Sequence, residues 1–178
     1  MKIAIVGAGL AGLSTAIALR KRLGSKHPDL DIRIYDRTDA ATGWAEGQGA
    51  ALGLQGNGLR ALEAIDMELR DKVYRVGFPC THFTHRTDTG YLLGKEYLDV
   101  LPVSRPLLIK CLLEALPEHA VTYKTIKHVQ ATQGQKPKLI FVDGSEEIAD
   151  LIIGADGVRS IVRPSIFGDN EKYRPWYQ

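Results

Sequence analysis

Cysteine is nearly absent from this chain of 178 residues: only Cys80 and Cys111 are present. Two cysteines with no histidine pattern nearby build neither a disulfide framework nor a zinc site, so a reducing compartment, the cytoplasm, is the expected location. Charge of one sign is also missing. The formal net charge is +2 and no basic run is long enough to suggest nucleic acid. No apolar stretch is long enough for a membrane span, and neither internal repeats nor low-complexity segments occur. The N-terminus has Lys2 before apolar residues, as a signal peptide would. Glycines interrupt that run, however, and Arg20-Lys21-Arg22 falls where a cleavage site would be needed. What remains is an ordinary mixture, 44% hydrophobic, sufficient for one full domain and part of a second.

The informative segment is the first. Lys2-Ile3-Ala4-Ile5-Val6 reads as a buried parallel strand, and Gly7-Ala8-Gly9-Leu10-Ala11-Gly12 follows it as G-x-G-x-x-G. Leu10, Leu13 and Ile17 repeat at helical spacing to about Leu23, where Gly24 stops the helix. Each glycine has a chemical reason. Gly7 allows the tight turn, Gly9 lets a pyrophosphate approach the backbone, and Gly12 lets helix and sheet pack closely. The anion would rest on unpaired N–H groups at the positive helix end. A second strand, Ile32 to Asp36, ends in an acid where a ribose-binding carboxylate belongs. The alternative is a glycine-containing turn with no ligand and an acid that merely ends a strand.

Further along, Thr42 to Gly58 is glycine-rich, either a surface loop or backbone lying close to a ligand. One helix is expected from about Asn57 to Lys72, with Leu59, Leu62, Ile65, Leu69 and Val73 on its apolar face. Phe78 to Arg86 and Tyr91 to Tyr97 read as a hairpin. His82 and His85, three apart on a strand, face opposite ways and cannot share a metal ion. Ser104 to Leu113 opens a helix with Pro106 in its first turn and Leu108, Cys111, Leu112 and Ala115 on its apolar side. Arg105 stands at its entrance, solvated or meeting an anionic ligand. Strands are expected at Val121–Lys124, Ile126–Thr132, Leu139–Val142 and Ile148–Ile153, with a turn at Asp143-Gly144. The last strand runs into Gly154-Ala155-Asp156-Gly157-Val158-Arg159-Ser160 and then a short helix.

These motifs, in this order, resemble the N-terminal half of the class A flavoprotein monooxygenases, the FAD-dependent hydroxylases of the p-hydroxybenzoate and salicylate type. The resemblance rests on Gly7-x-Gly9-x-x-Gly12, Asp36-Arg37, Arg105-Pro106-Leu107-Leu108 and, most specifically, the "DG" segment from Asp150 to Ser160. Gly49 to Leu59 also looks like the family's loop and helix beside the flavin.

The resemblance implies an α/β fold: a Rossmann-like FAD-binding fold with a parallel sheet, a β-meander and a partial substrate-domain hairpin. It implies an FAD-binding part at 1–76 and 101–165, and fragments of a substrate-binding sheet at 77–100 and 166–178. Gly7, Gly9 and Gly12 would face the FAD pyrophosphate. Asp36 would take the adenosine ribose hydroxyls, where the family more often has Glu. Arg37 would lie beside the adenine, Val129 would meet the adenine edge through its backbone, and Arg105 would reach the flavin side. Asp156 and Gly157 would support the pyrophosphate–ribityl region and the encounter with NAD(P)H. The implied reaction is hydroxylation of an aromatic small molecule. The chain is expected to be truncated relative to the family, because the later Gly-Asp flavin motif has no counterpart, Gly168-Asp169 included. A homo-oligomer or a completing partner chain is therefore expected. No catalytic base is named; His82, His85 and Tyr97 are candidates for a pocket wall. The reading from a different class is a short nucleotide-binding module with no monooxygenase activity of its own.

Overall fold

The structure, a computed structural model, describes residues 1–38 and 51–168. The chain divides into two compact units, residues 1–45 with 112–178, and residues 46–111.

The first unit is built on a four-stranded parallel sheet. Strand β1 (Lys2–Val6) lies inside it, with β2 (Asp31–Asp36) on one side and β10 (Leu151–Gly154) on the other; β6 (Val121–Tyr123) pairs with β2. Apolar residues run without alternation along β1 because both its faces are covered. Ile5 and Ile34, register partners of β1 and β2, are both fully buried. Helix α1 (Leu10–Leu23) joins β1 to β2 as the crossover that parallel pairing requires. It buries Gly12, Leu13, Ala16 and Ile17. Burying a leucine or isoleucine of this kind contributes about 1.5–3 kcal/mol. Arg20 Nη2 donates to the Ile32 carbonyl at 2.7 Å, tying the helix to β2.

A three-stranded antiparallel meander, β7 (Ile126–Gln130), β8 (Lys138–Phe141) and β9 (Glu146–Ile148), completes this unit, with α5 (Arg163–Phe167). Its apolar residues Ile126, Leu139 and Phe141 join Ala4, Val6, Tyr35, Ala149 and Val162 in one core cluster. Gly144, at φ +82°, makes the expected turn between β8 and β9.

The expected strand Ile148–Ile153 is two strands. β9 pairs antiparallel with β8, whereas β10 pairs parallel with β1. The switch lies at Ala149-Asp150. Asp150 N donates to the Lys2 carbonyl at 2.8 Å, and Lys2 N donates to the Asp150 carboxylate at 2.7 Å. Both bonds anchor Asp150 at the start of β1, and the chain changes sheets there.

The second unit contains the antiparallel sheet β3 (Ala51–Gln55), β5 (Leu92–Ser104) and β4 (Cys80–Arg86), in the order β3-β5-β4. The hairpin is where the alternation places it, but β5 continues past Tyr97 to pair with β3. Ala51–Gln55 is thus a strand, although the glycine-rich composition of Thr42–Gly58 suggests a loop; the portion before Ala51 lies outside the described residues. Its partner strand outweighs Gly53, above which a side chain would meet only the Val100 side chain.

The expected helix Asn57–Lys72 is likewise two, α2 (Gly56–Ile65) and α3 (Met67–Val76). Asp66 breaks it. Its backbone is extended (φ −165°, ψ 121°), and its carboxylate accepts from Glu68 N at 2.9 Å, capping α3. Helix α4 (Arg105–Glu114) follows β5 directly and buries Leu108, Ile109, Cys111 and Leu112. Ala115 lies beyond its end and is exposed, and Ile109 takes the core position instead.

Candidate FAD-binding site

The carboxyl ends of β10, β1 and β2 carry the glycine turn, Asp36 and the DG segment together. That end of a parallel sheet is where open α/β folds hold ligands. The opposite end is occupied by ion pairs. Lys2 pairs with Glu147, Arg33 lies 3.1 Å from Asp31, and Lys136 lies 2.6 Å from Asp150. The Lys136 ammonium, together with the Lys2 N–H, holds the Asp150 carboxyl below its usual range.

The three glycines of the turn are required for different reasons. Gly7 has φ +106°, and a side chain there would strike the Ala155 carbonyl. Gly12 lies so close to the Gly7 carbonyl that a β-carbon would overlap it. The fold itself therefore demands both. Gly9 is otherwise. Its φ is −78°, open to any residue, and among the described residues nothing stands within 4 Å of where its β-carbon would be. Packing among the described residues gives no reason for glycine at position 9. The space it keeps clear lies at the N-terminus of α1, which has no side-chain cap and no acid in its first turn. A helix end of this kind favours an anion. The residues present thus fit a dinucleotide pyrophosphate.

Two neighbours fix the turn. From β2, the Tyr35 carbonyl accepts from Gly7 N at 2.8 Å, and Asp36 Oδ2 accepts from Ala8 N at 2.6 Å. Asp36 Oδ1 accepts from Thr38 N at 2.9 Å. From β10, Ala155 N donates to the Val6 carbonyl at 2.7 Å. Tyr35 is buried, with its ring 5.3 Å from that of Phe141, and burial pushes its phenol up to about 12.

Asp156 is turned into its own loop. Oδ1 accepts from Ser160 Oγ at 2.7 Å, and Oδ2 accepts from Ile161 N at 2.7 Å and Val162 N at 3.3 Å. The carboxylate fixes the segment that follows Gly157, which has φ +75° and open space above it. Arg163 contributes from behind, donating to the carbonyls of Val158 at 3.1 Å and Gly157 at 3.4 Å. Sequence spacing does not reveal Arg163, the Ala155 carbonyl against Gly7, or the Ala8 amide on Asp36, because each contact exists only once the loops are folded.

The other expected residues are placed as follows. Arg37 is exposed, immediately past β2. Val129 is half-buried on β7, opposite Leu139, and packs against the core cluster. Arg105 opens α4 in the second unit, and Ser104 Oγ accepts from Leu107 N at 3.3 Å beside it. His82 lies opposite Tyr97 with ring centroids 6.2 Å apart, and His85 Nε2 is 3.7 Å from Glu96. All three of His82, His85 and Tyr97 are exposed.

The family described as "FAD binding domain" matches residues 1–174. The chain belongs to that family. It corresponds to the N-terminal FAD-binding part of the class A flavoprotein monooxygenases, and FAD is the cofactor of the family. Among curated relatives, the chain is 33% identical to 3-amino-4-hydroxybenzoate 2-monooxygenase of Streptomyces cremeus, covering 97% of this chain and 44% of that one. It is 31% identical to the FAD-dependent urate hydroxylase of Mycolicibacterium vanbaalenii, over 94% and 42%. Among solved structures, Klebsiella pneumoniae HpxO complexed with FAD and uric acid superposes with a TM-score of 0.73 at 26% identity, over 92% of this chain and 41% of that one. The chain therefore spans about two-fifths of the length of these relatives. Among the described residues, no helix is long and apolar enough to cross a membrane.

Proposed function

We propose that the chain is the FAD-binding portion of an NAD(P)H-dependent monooxygenase that hydroxylates an aromatic or related small molecule. The observation that carries the FAD half of this reading is the space above Gly9, which the fold leaves clear at an uncapped helix end between Asp36 and the DG loop. The reaction rests on kinship with a 3-amino-4-hydroxybenzoate 2-monooxygenase and an FAD-dependent urate hydroxylase.

Bound FAD supplies the redox and oxygen chemistry, as cofactors generally do, while the protein binds and orients it. The N–H groups at the start of α1 hold the pyrophosphate. The carboxylate of Asp36 has lone pairs left after accepting two amides, and these accept from an adenosine ribose hydroxyl. Arg37 borders the adenine, with the Val129 backbone at its edge. Arg105 serves the flavin end, as the resemblance implies. Asp156 acts indirectly by holding the loop that presents Gly157. The β4–β5 hairpin region, residues 77–100, belongs to the substrate side; the segment 166–178, assigned with it, lies outside the described residues from 169 onward. Phe78, Tyr91, Leu93 and Tyr97 of the hairpin region are each more than 60% exposed, which supports coverage by a further chain segment, a second copy or a partner. A reducing compartment such as the cytoplasm is part of this reading, on the sequence's having two cysteines only.

The test is reconstitution. Purified protein is expected to be yellow, or to gain saturable flavin absorbance with FAD, and to prefer FAD to NAD. Tight NAD binding with no affinity for FAD would overturn the reading.

A further inference from the structure

Asp36 has a second task that the ribose reading does not include. Gly7 N–H pairs with the Tyr35 carbonyl, the last bond of the β1–β2 edge. One residue further, β1 has ended and β2 is at its last residue, yet the pairing continues through that residue's side chain, with Ala8 N–H donating to Asp36 Oδ2 at 2.6 Å. The other oxygen holds Thr38 N–H at 2.9 Å, and the Asp36 carbonyl accepts from Lys124 N, just past β6, at 2.8 Å. The acid is therefore fixed on three sides, and Ala8, itself buried, is fixed by it. Ala8 lies between the two glycines that face the pyrophosphate. Its amide is committed to Asp36, so the turn's direction into α1 depends on where that carboxylate stands. A charge-assisted bond of this length is among the stronger ones.

We infer that Asp36 is a positioning residue for the pyrophosphate cradle, acting through Ala8 N–H, in addition to any contact with the ribose. The inference rests on the FAD reading for its ligand but not for its geometry. It also gives a reason for aspartate at this position. A glutamate would carry the carboxylate one methylene further from the Ala8 amide.

The test separates the two tasks with ligands that lack the hydroxyls. Calorimetry compares ADP with 2′,3′-dideoxy-ADP on the wild-type chain and on Asp36→Asn. A positioning role predicts that the variant loses about tenfold in affinity for both ligands, the order expected for losing a hydrogen bond to a charged group. Loss of ADP affinity with dideoxy-ADP binding unchanged would reduce Asp36 to a ribose acceptor and overturn the inference. Amide hydrogen exchange on the ligand-free protein gives an independent readout. Protection of Ala8 N–H is expected to fall at least about tenfold in the variant while the β1 core amides keep theirs. Unchanged Ala8 protection would also overturn it. If the wild-type chain binds neither ADP nor FAD, the cofactor reading fails, and the exchange result alone decides the positioning role. Asp36→Glu, with the same expected losses, keeps the test decisive should the Asn variant not fold.

Discussion

At the residue scale, the glycine turn shows that identical residues in one motif answer to different demands. Contacts within the fold demand Gly7 and Gly12, whereas no described residue demands Gly9. Gly12→Ala would press a methyl group into the Gly7 carbonyl, so α1 must shift off the sheet. Overpacking of this kind costs about 1–3 kcal/mol, sometimes more. Urea unfolding of Gly12→Ala is expected to show that loss whether or not cofactor is present; an unchanged midpoint would mean the helix is not seated as described. Tyr35 gives a second prediction. Its folded-state phenol is raised from 10.0 to about 12 by burial, reinforced by the charge of Glu147. A raised value means the neutral ring is favoured in the fold. This contribution is fully present below pH 10 and is lost as pH climbs toward 12, a change of roughly 2–3 kcal/mol. Tyr35→Phe cannot ionise, so its stability should fall less steeply than wild type between those pH values. Parallel declines would contradict the assignment.

At the element scale, local pattern and tertiary pairing divide the information. β1, α1 and β2 were legible because apolar period, glycine placement and helix ends all agree there. The breaks were not. Asp66 divides α2 from α3 with no proline or glycine beside it, and its capping bond is visible only in the folded backbone. Asp150 divides β9 from β10 because two sheets compete for one apolar run, and no local signal announces which residue faces which partner. β3 was hidden by its glycines and exists through pairing with β5, some fifty residues later. The site followed the same division. Its glycines and Asp36 stand out in the sequence, but the inward turn of Asp156 and the support from Arg163 do not. Asp66→Ala is expected to destabilise the second unit by about 1 kcal/mol through loss of the α3 cap, read as a lower thermal midpoint. No change would place the helix break in packing instead.

At the scale of the whole molecule, the chain combines a complete glycine turn and DG loop with about two-fifths of the length of its relatives. The 178-residue polypeptide is expected to bind FAD yet to oxidise NAD(P)H slowly and without coupling to a phenolic substrate, since shielding the reacting centre from water needs a closed site. One labelled oxygen atom incorporated per aromatic product by this polypeptide alone would refute that expectation. Substitution at Gly9 tests whether the open space there receives a dinucleotide pyrophosphate. Gly9→Val puts a branched side chain into that space, and its β-carbon meets no described residue within 4 Å. Valine is a poorer N-cap than glycine, so a stability loss of no more than about 1 kcal/mol is allowed for. FAD titration of wild type and Gly9→Val, with unfolding followed on the same samples, is the measurement. The predicted result is saturable binding by wild type and none by a variant that remains folded. Equal FAD affinity in the two would contradict the account.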